Sequence, residues 1–128
     1  MQGWLWLLTG VNGFLAVALG AFGAHGLGRW LAGVEGLERR LAWWQTASQY
    51  HLTHALALGI AAYLASRDPS VGKLAALGFQ LGILLFSGSL YAMTLSGARW
   101  LGAVTPLGGL AFLVGWAAVA FAGYRWPK

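Results

Sequence analysis

The chain has 128 residues, 59% hydrophobic and 9% charged, with no Cys and a formal net charge of +5. A soluble domain carries about 25% charged residues, so this composition excludes a water-facing surface, and the missing thiols exclude disulfides, thiolate metal sites and cysteine nucleophiles. The eight basic residues stand singly or in pairs between apolar runs, which argues against nucleic acid and for anionic lipid headgroups as their partner.

A helix needs about 20 mainly apolar residues to cross a bilayer core. Four runs meet that length, at about residues 4–27, 45–66, 74–98 and 106–124, and none contains Asp, Glu, Lys or Arg. Backbone groups in lipid must find partners within their own segment, so each run is predicted to be a helix. The expectation is an all-α integral membrane bundle of four transmembrane helices, with residues 1–128 forming one transmembrane domain.

The first run lacks a charged leader and is too long for a signal-peptide core, so it is expected to stay as a span. "LERRLAWWQ" (37–45) reads as a helix start at the interface, and "SRDPSVGK" (66–73) as a short polar loop stopped by Pro69. "VTPLGG" (104–109) opens the fourth helix, with Thr105 as a candidate N-cap and Pro106 at the first helical position. Trp4, Trp6, Trp30, Trp43, Trp44, Trp100 and Trp126 fall at or just beyond span ends, as an interfacial belt requires; Trp116 alone is mid-span.

The result is a multi-pass cell-membrane protein with both termini on one side. Arg29, Arg39, Arg40 and Arg99 fall on one side, and Arg67, Lys73, Arg125 and Lys128 on the other. The positive-inside rule gives a tie, which also permits dual topology; the cytoplasmic side is the narrow preference for the termini.

Burial does not drive helix association among lipid tails, so close packing and interhelical hydrogen bonds must. Small residues recur at helical spacing: Asn12, Ala16, Gly20 and Ala24; Gly78 and Gly82; and Gly108, Ala111, Gly115, Ala118 and Ala122. Gly20, Gly78, Gly82, Gly108, Gly109 and Gly115 are therefore the candidate packing positions. The same stripes suit contacts between subunits, so a homo-oligomer or a larger membrane complex joins membrane lipids among the expected partners.

Polar side chains within the spans are few. Asn12, Gln45, Thr46, Ser48, Gln49, Thr53, Gln80, Ser87 and Ser89 are each expected to bond between helices. His51 and His54 stand about 60° apart around one helix, and His25 ends the preceding one. His25, His51, His54, Gln49, Ser87 and Ser89 make up a candidate polar interior cluster. Three imidazoles have the donor set for zinc or copper, and two from different helices that for axial haem. The expectation is nonetheless hydrogen bonding to nearby carbonyls and Gln, Thr or Ser groups, with His25 and His54 in one half of the interior and no metal or cofactor. No span holds a carboxylate to serve as base or orienter, so no catalytic residue is assigned and an enzyme is not expected.

Four strings, "GAFGAHGL" (20–27), "WQTASQYHLTHALAL" (44–58), "FSGSLY" (86–91) and "GAVTPLGGLAFLVGW" (102–116), together resemble the small four-helix membrane-protein family of unknown function that includes bacterial YgdD and YwdK. The resemblance covers essentially the whole chain. It implies an integral membrane protein with no established activity, and its motifs fall on His25, His54, Ser87, Ser89, Tyr91, Thr105, Pro106, Gly108, Gly109, Gly115 and Trp116. His51 departs from the family pattern. The leading functional expectation is a structural or accessory membrane protein acting through helix packing. The alternatives are an oligomeric small-molecule, lipid or ion passage, and a His-based metal, haem or quinone site.

Overall fold

Runs without charge that must satisfy their own backbone fold as helices, and the computed structural model, which describes residues 3–127, has no strand among them. Lys128, counted above among the positive charges, lies outside the described residues. The elements are α1 (Gly3–His25), a one-turn α2 (Leu27–Trp30), α3 (Leu37–Arg67), α4 (Pro69–Gly82) and α5 (Gly88–Ser96), then a 3₁₀ turn (Arg99–Ala103) and α6 (Thr105–Arg125). A π-helical turn at Ile83–Ser87 joins α4 to α5 without a break, giving one rod.

Three segments are long and apolar enough to cross a membrane: Gly3–His25, Pro69–Ser96 and Arg99–Arg125. The fourth long helix, α3, is the longest at 31 residues but does not join them on composition. Glu38, Arg39 and Arg40 open it, and Gln45, Ser48, Gln49, His51, Thr53 and His54 occupy its middle. Yet α3 is central. It packs along α1 on one flank and along α4 and α5 on the other, while α6 lies mainly against α4 and the π turn. "LERRLAWWQ" forms the first turns of this helix, continuous with the rest.

The expected loop at 66–73 is a single non-helical residue, Asp68. Pro69 starts α4 instead of stopping a loop, because a proline at the first helical position gives up an amide that had no partner, and the Asp68 carboxylate accepts from the Val71 amide at 3.3 Å. Gly72 makes so abrupt a reversal possible, since a Cβ there would collide with the backbone of Ala65. Thr105 does not cap α6: its hydroxyl meets Ser89 Oγ at 2.6 Å, and no side chain caps the helix.

Glycine contacts hold the α4–α6 side. A Cβ on Gly78 would stand 2.7 Å from the Gly115 amide nitrogen and 2.8 Å from the Ala111 oxygen, and one on Gly115 would stand 2.6 Å from the Phe79 ring. Gly82 lies under the Phe112 ring and Gly108 against the Phe86 backbone. Gly20 and Gly109 make no such contact. Residues four apart drift about 40° per step around a helix, so the stripe from Asn12 turns off α3 by Gly20, and Gly23 takes the contact under Trp44. Gly109 stands about 100° around α6 from Gly108 and opens onto a surface groove. Trp44 does not face lipid: it is buried, and its indole N–H donates to the Leu19 carbonyl of α1 at 2.8 Å.

Candidate functional site

The inward face of α3 repeats at helical spacing through Trp44, Ala47, His51, His54, Leu58, Ala61 and Ala65, all buried. Both its histidines therefore enter the interior, about 4.5 Å apart along the axis. Their surroundings differ completely.

His51 sits where α1, α3 and the α4–α5 rod meet. The Asn12 amide donates to the Leu8 carbonyl at 2.9 Å and to Gln80 Oε1 at 2.8 Å, which leaves Asn12 Oδ1 as an acceptor. His51 Nε2 faces that oxygen at 3.3 Å, and Nδ1 faces the Tyr91 hydroxyl at 3.1 Å. One assignment satisfies every atom: Nε2–H donates to Asn12, and Nδ1 accepts from Tyr91. The chain Gln80–Asn12–His51–Tyr91 ties three long segments together by side chains alone.

His54 sits in an aromatic box. Its Nδ1–H donates to the Tyr50 carbonyl at 2.7 Å, and its Nε2 accepts from the Trp116 indole N–H at 3.1 Å. A carbonyl only accepts and an indole N–H only donates, so the imidazole is neutral and its tautomer is the opposite of that of His51. The ring stacks on Phe112 with centroids 3.5 Å apart and an interplanar angle of 12°, and Phe79 flanks it at 5.8 Å. This bond accounts for the one mid-span tryptophan.

Of the six residues expected in one polar cluster, four are buried and two are not. His25 is exposed at the end of α1; it stands about 200° around the helix from Gly23, the residue that meets α3. Gln49 is exposed because it stands about 200° from both Ala47 and His51. His25 and His54 thus do not share the interior. Ser87 and Ser89 are buried but do not join the histidines: Ser87 donates to the Ala47 carbonyl at 2.8 Å, and Ser89 pairs with Thr105. Two serines two apart point to different neighbours, α3 and the start of α6, so each acts as a separate clip.

Asn12, Gln80, Tyr91 and Trp116 were each visible as polar or aromatic residues within spans. Their pairing with a particular histidine was not. Tyr50 and Phe112, which close the box, carried no signal beyond apolarity. Among the described residues no three His, Asp or Glu side chains approach closely enough to hold one metal ion.

The family described as "Protein of unknown function (DUF423)" matches residues 19–109. The UPF0382 membrane protein YwdK of Bacillus subtilis is 42% identical over 94% of this chain and 95% of its own length. The UPF0382 inner membrane protein YgdD of Escherichia coli is 40% identical, covering 93% and 88%. A UPF0382 membrane protein of Haemophilus influenzae is 38% identical, covering 92% and 91%. No solved structure matches.

Proposed function

This chain belongs to that family of membrane proteins of unknown function, and from that premise we propose that it is a structural or accessory membrane protein, acting through helix packing and not as an enzyme. The observation that carries the reading is the full commitment of both interior imidazoles. A metal ligand must offer a free nitrogen lone pair, and that lone pair on His51 is taken by Tyr91 and on His54 by Trp116. His51 uses both ring nitrogens to fasten helices, and His54 fastens α6 through Nε2 while its Nδ1 bond to Tyr50 stays within α3.

The proposal includes α3 as a fourth span. Its composition is too polar to stand alone in lipid, but the buried face carries both histidines, and the neighbouring helices supply the partners that lipid cannot. Four spans place both termini on one side. Large apolar side chains point outward from α1 and α6, among them Phe14 at 75% exposure and Leu113 at 65%, and they are available to lipid, to a second copy or to a larger complex.

The test is purified protein reconstituted in vesicles. It should carry no stoichiometric metal, show no haem absorption and give no solute flux above empty vesicles, and a His54→Leu variant should insert normally but unfold earlier. An imidazole nitrogen at about 2.0–2.1 Å from a bound zinc, or sustained flux, overturns the reading.

A further inference from the structure

At the end of the molecule where α5 finishes and α3 begins, a polar hollow of about 420 Å³ is lined by Glu35, Gly36, Arg39, Arg40, Trp43, Gly97 and Arg99. Three guanidinium groups and one carboxylate surround it. The only ion pair among the described residues lies elsewhere, between Arg125 and Asp68, so Arg39 and Arg99 have no carboxylate within 4 Å among them.

Arg40 is built in. Its Nη1–H donates to the Thr94 carbonyl at 3.2 Å, and the Thr94 hydroxyl donates back to the Arg40 carbonyl at 3.0 Å. Gly97, at φ 72°, lets the chain turn past the guanidinium, where any Cβ would collide with Nη2. One of five donors is spent on Thr94; the fixed cation keeps the rest. Trp43 lines the hollow, and Trp100, 71% exposed, stands beside Arg99. Tryptophans of this kind lie at headgroup level, and forked guanidinium groups match phosphate oxygens two at a time.

We propose that the Arg39–Arg40–Arg99 hollow binds a phosphodiester, the headgroup of an anionic phospholipid. The proposal needs the chain to sit in a membrane but is independent of whether it acts by packing. The shared chemistry is phosphate, and a lipid and a soluble anion are separated by the probes.

Purified full-length protein in detergent would be titrated with short-chain phosphatidylglycerol, short-chain phosphatidylcholine and inorganic phosphate, with binding read by native mass spectrometry and calorimetry. Phosphatidylglycerol should bind at least tenfold more tightly than either of the others. Arg39→Gln and Arg99→Gln alter exposed side chains and should keep the wild-type unfolding temperature while each weakens binding about fivefold. Lys73→Gln and Arg125→Gln, at the opposite end of the molecule, should leave it unchanged. Equal binding of the two lipids, or undiminished binding by the Arg39→Gln and Arg99→Gln proteins, overturns the site. Inorganic phosphate binding as tightly as phosphatidylglycerol overturns the lipid as occupant.

Discussion

The two flanks of the α3–α4–α5 core are held by different physics. On the α1 flank, Asn12 bridges Gln80 and His51, and Trp44 reaches the Leu19 carbonyl; polar bonds do the fastening. On the α6 flank, Gly78 meets Gly115 backbone to backbone while Phe79 and Phe112 fill the space above neighbouring glycines; there, shape does most of it, beside the Trp116–His54 and Ser89–Thr105 bonds. The two histidines report the contrast, one in a hydrogen-bonded junction and the other in an aromatic box, with opposite tautomers. In lipid, where burial gives no net drive between helices, these are the two sources of association left. A chain with both carries two joints that fail in different ways.

The sharpest way to break the contrast is steric. Gly78→Leu puts a branched side chain where even a Cβ would lie 2.7 Å from a backbone nitrogen. Neither backbone can yield cheaply, so the loss should be about 3 kcal/mol or more, read as a large fall in detergent unfolding temperature. Gly109→Leu, with open space around it, should be near neutral, and equal effects at the two positions would refute close packing as the glue of this flank. His54→Leu comes next. It leaves the Trp116 N–H without its acceptor and removes the stack on Phe112, for about 2–3 kcal/mol together. His51→Leu should cost less, about 1 kcal/mol, because interhelical hydrogen bonds in membranes are individually weak and no close ring stack is lost, although the Tyr91 hydroxyl and Asn12 Oδ1 each lose their partner. A larger loss at His51 than at His54, measured in the same detergent, would reverse the assignment of the two flanks.

Much of this was legible in the residues. Charge-free runs located the helices, and Gly78, Gly82, Gly108 and Gly115 were marked as packing positions because period and small size go together at close approaches. Gly20 and Gly109 failed the same criterion, since spacing identifies a stripe and not what lies opposite it. The lower apolarity of α3 could not reveal its central place: a polar residue in a span is tolerable or not according to its partners, and those can sit far away in the chain, as Trp116 does at 62 residues from His54. The π turn at Ile83–Ser87 has no sequence signal here, yet one wide turn re-aims every side chain after it. That Ser87 and Ser89 diverge follows from the about 200° between residues two apart on a helix; which neighbour each one meets does not.

The smallest expected effect concerns the one ion pair among the described residues, where α6 is fastened at its far end to the α3–α4 reversal. Arg125 Nη1 stands 3.3 Å from Asp68 Oδ2. The Asp68 carboxyl is held below its ordinary value chiefly by the Ser70 hydroxyl, which donates to it at 2.8 Å, then by the Val71 amide, with Arg125 contributing less. A carboxyl whose folded pKa lies below its unfolded one adds stability above the unfolded value, and that contribution is lost as pH falls through the folded one. The stabilisation should therefore be complete above about pH 5 and fade below about pH 4. The site is open to water, so the effect on the unfolding temperature should be slight and should shrink further in salt. Asp68→Asn should flatten this part of the pH profile, and Arg125→Gln should flatten it only in part, because Ser70 and Val71 still bind the carboxylate. If Arg125→Gln removes the whole dependence, the ion pair and not the helix cap governs the reversal, and the α6 flank would then owe part of its hold to charge after all.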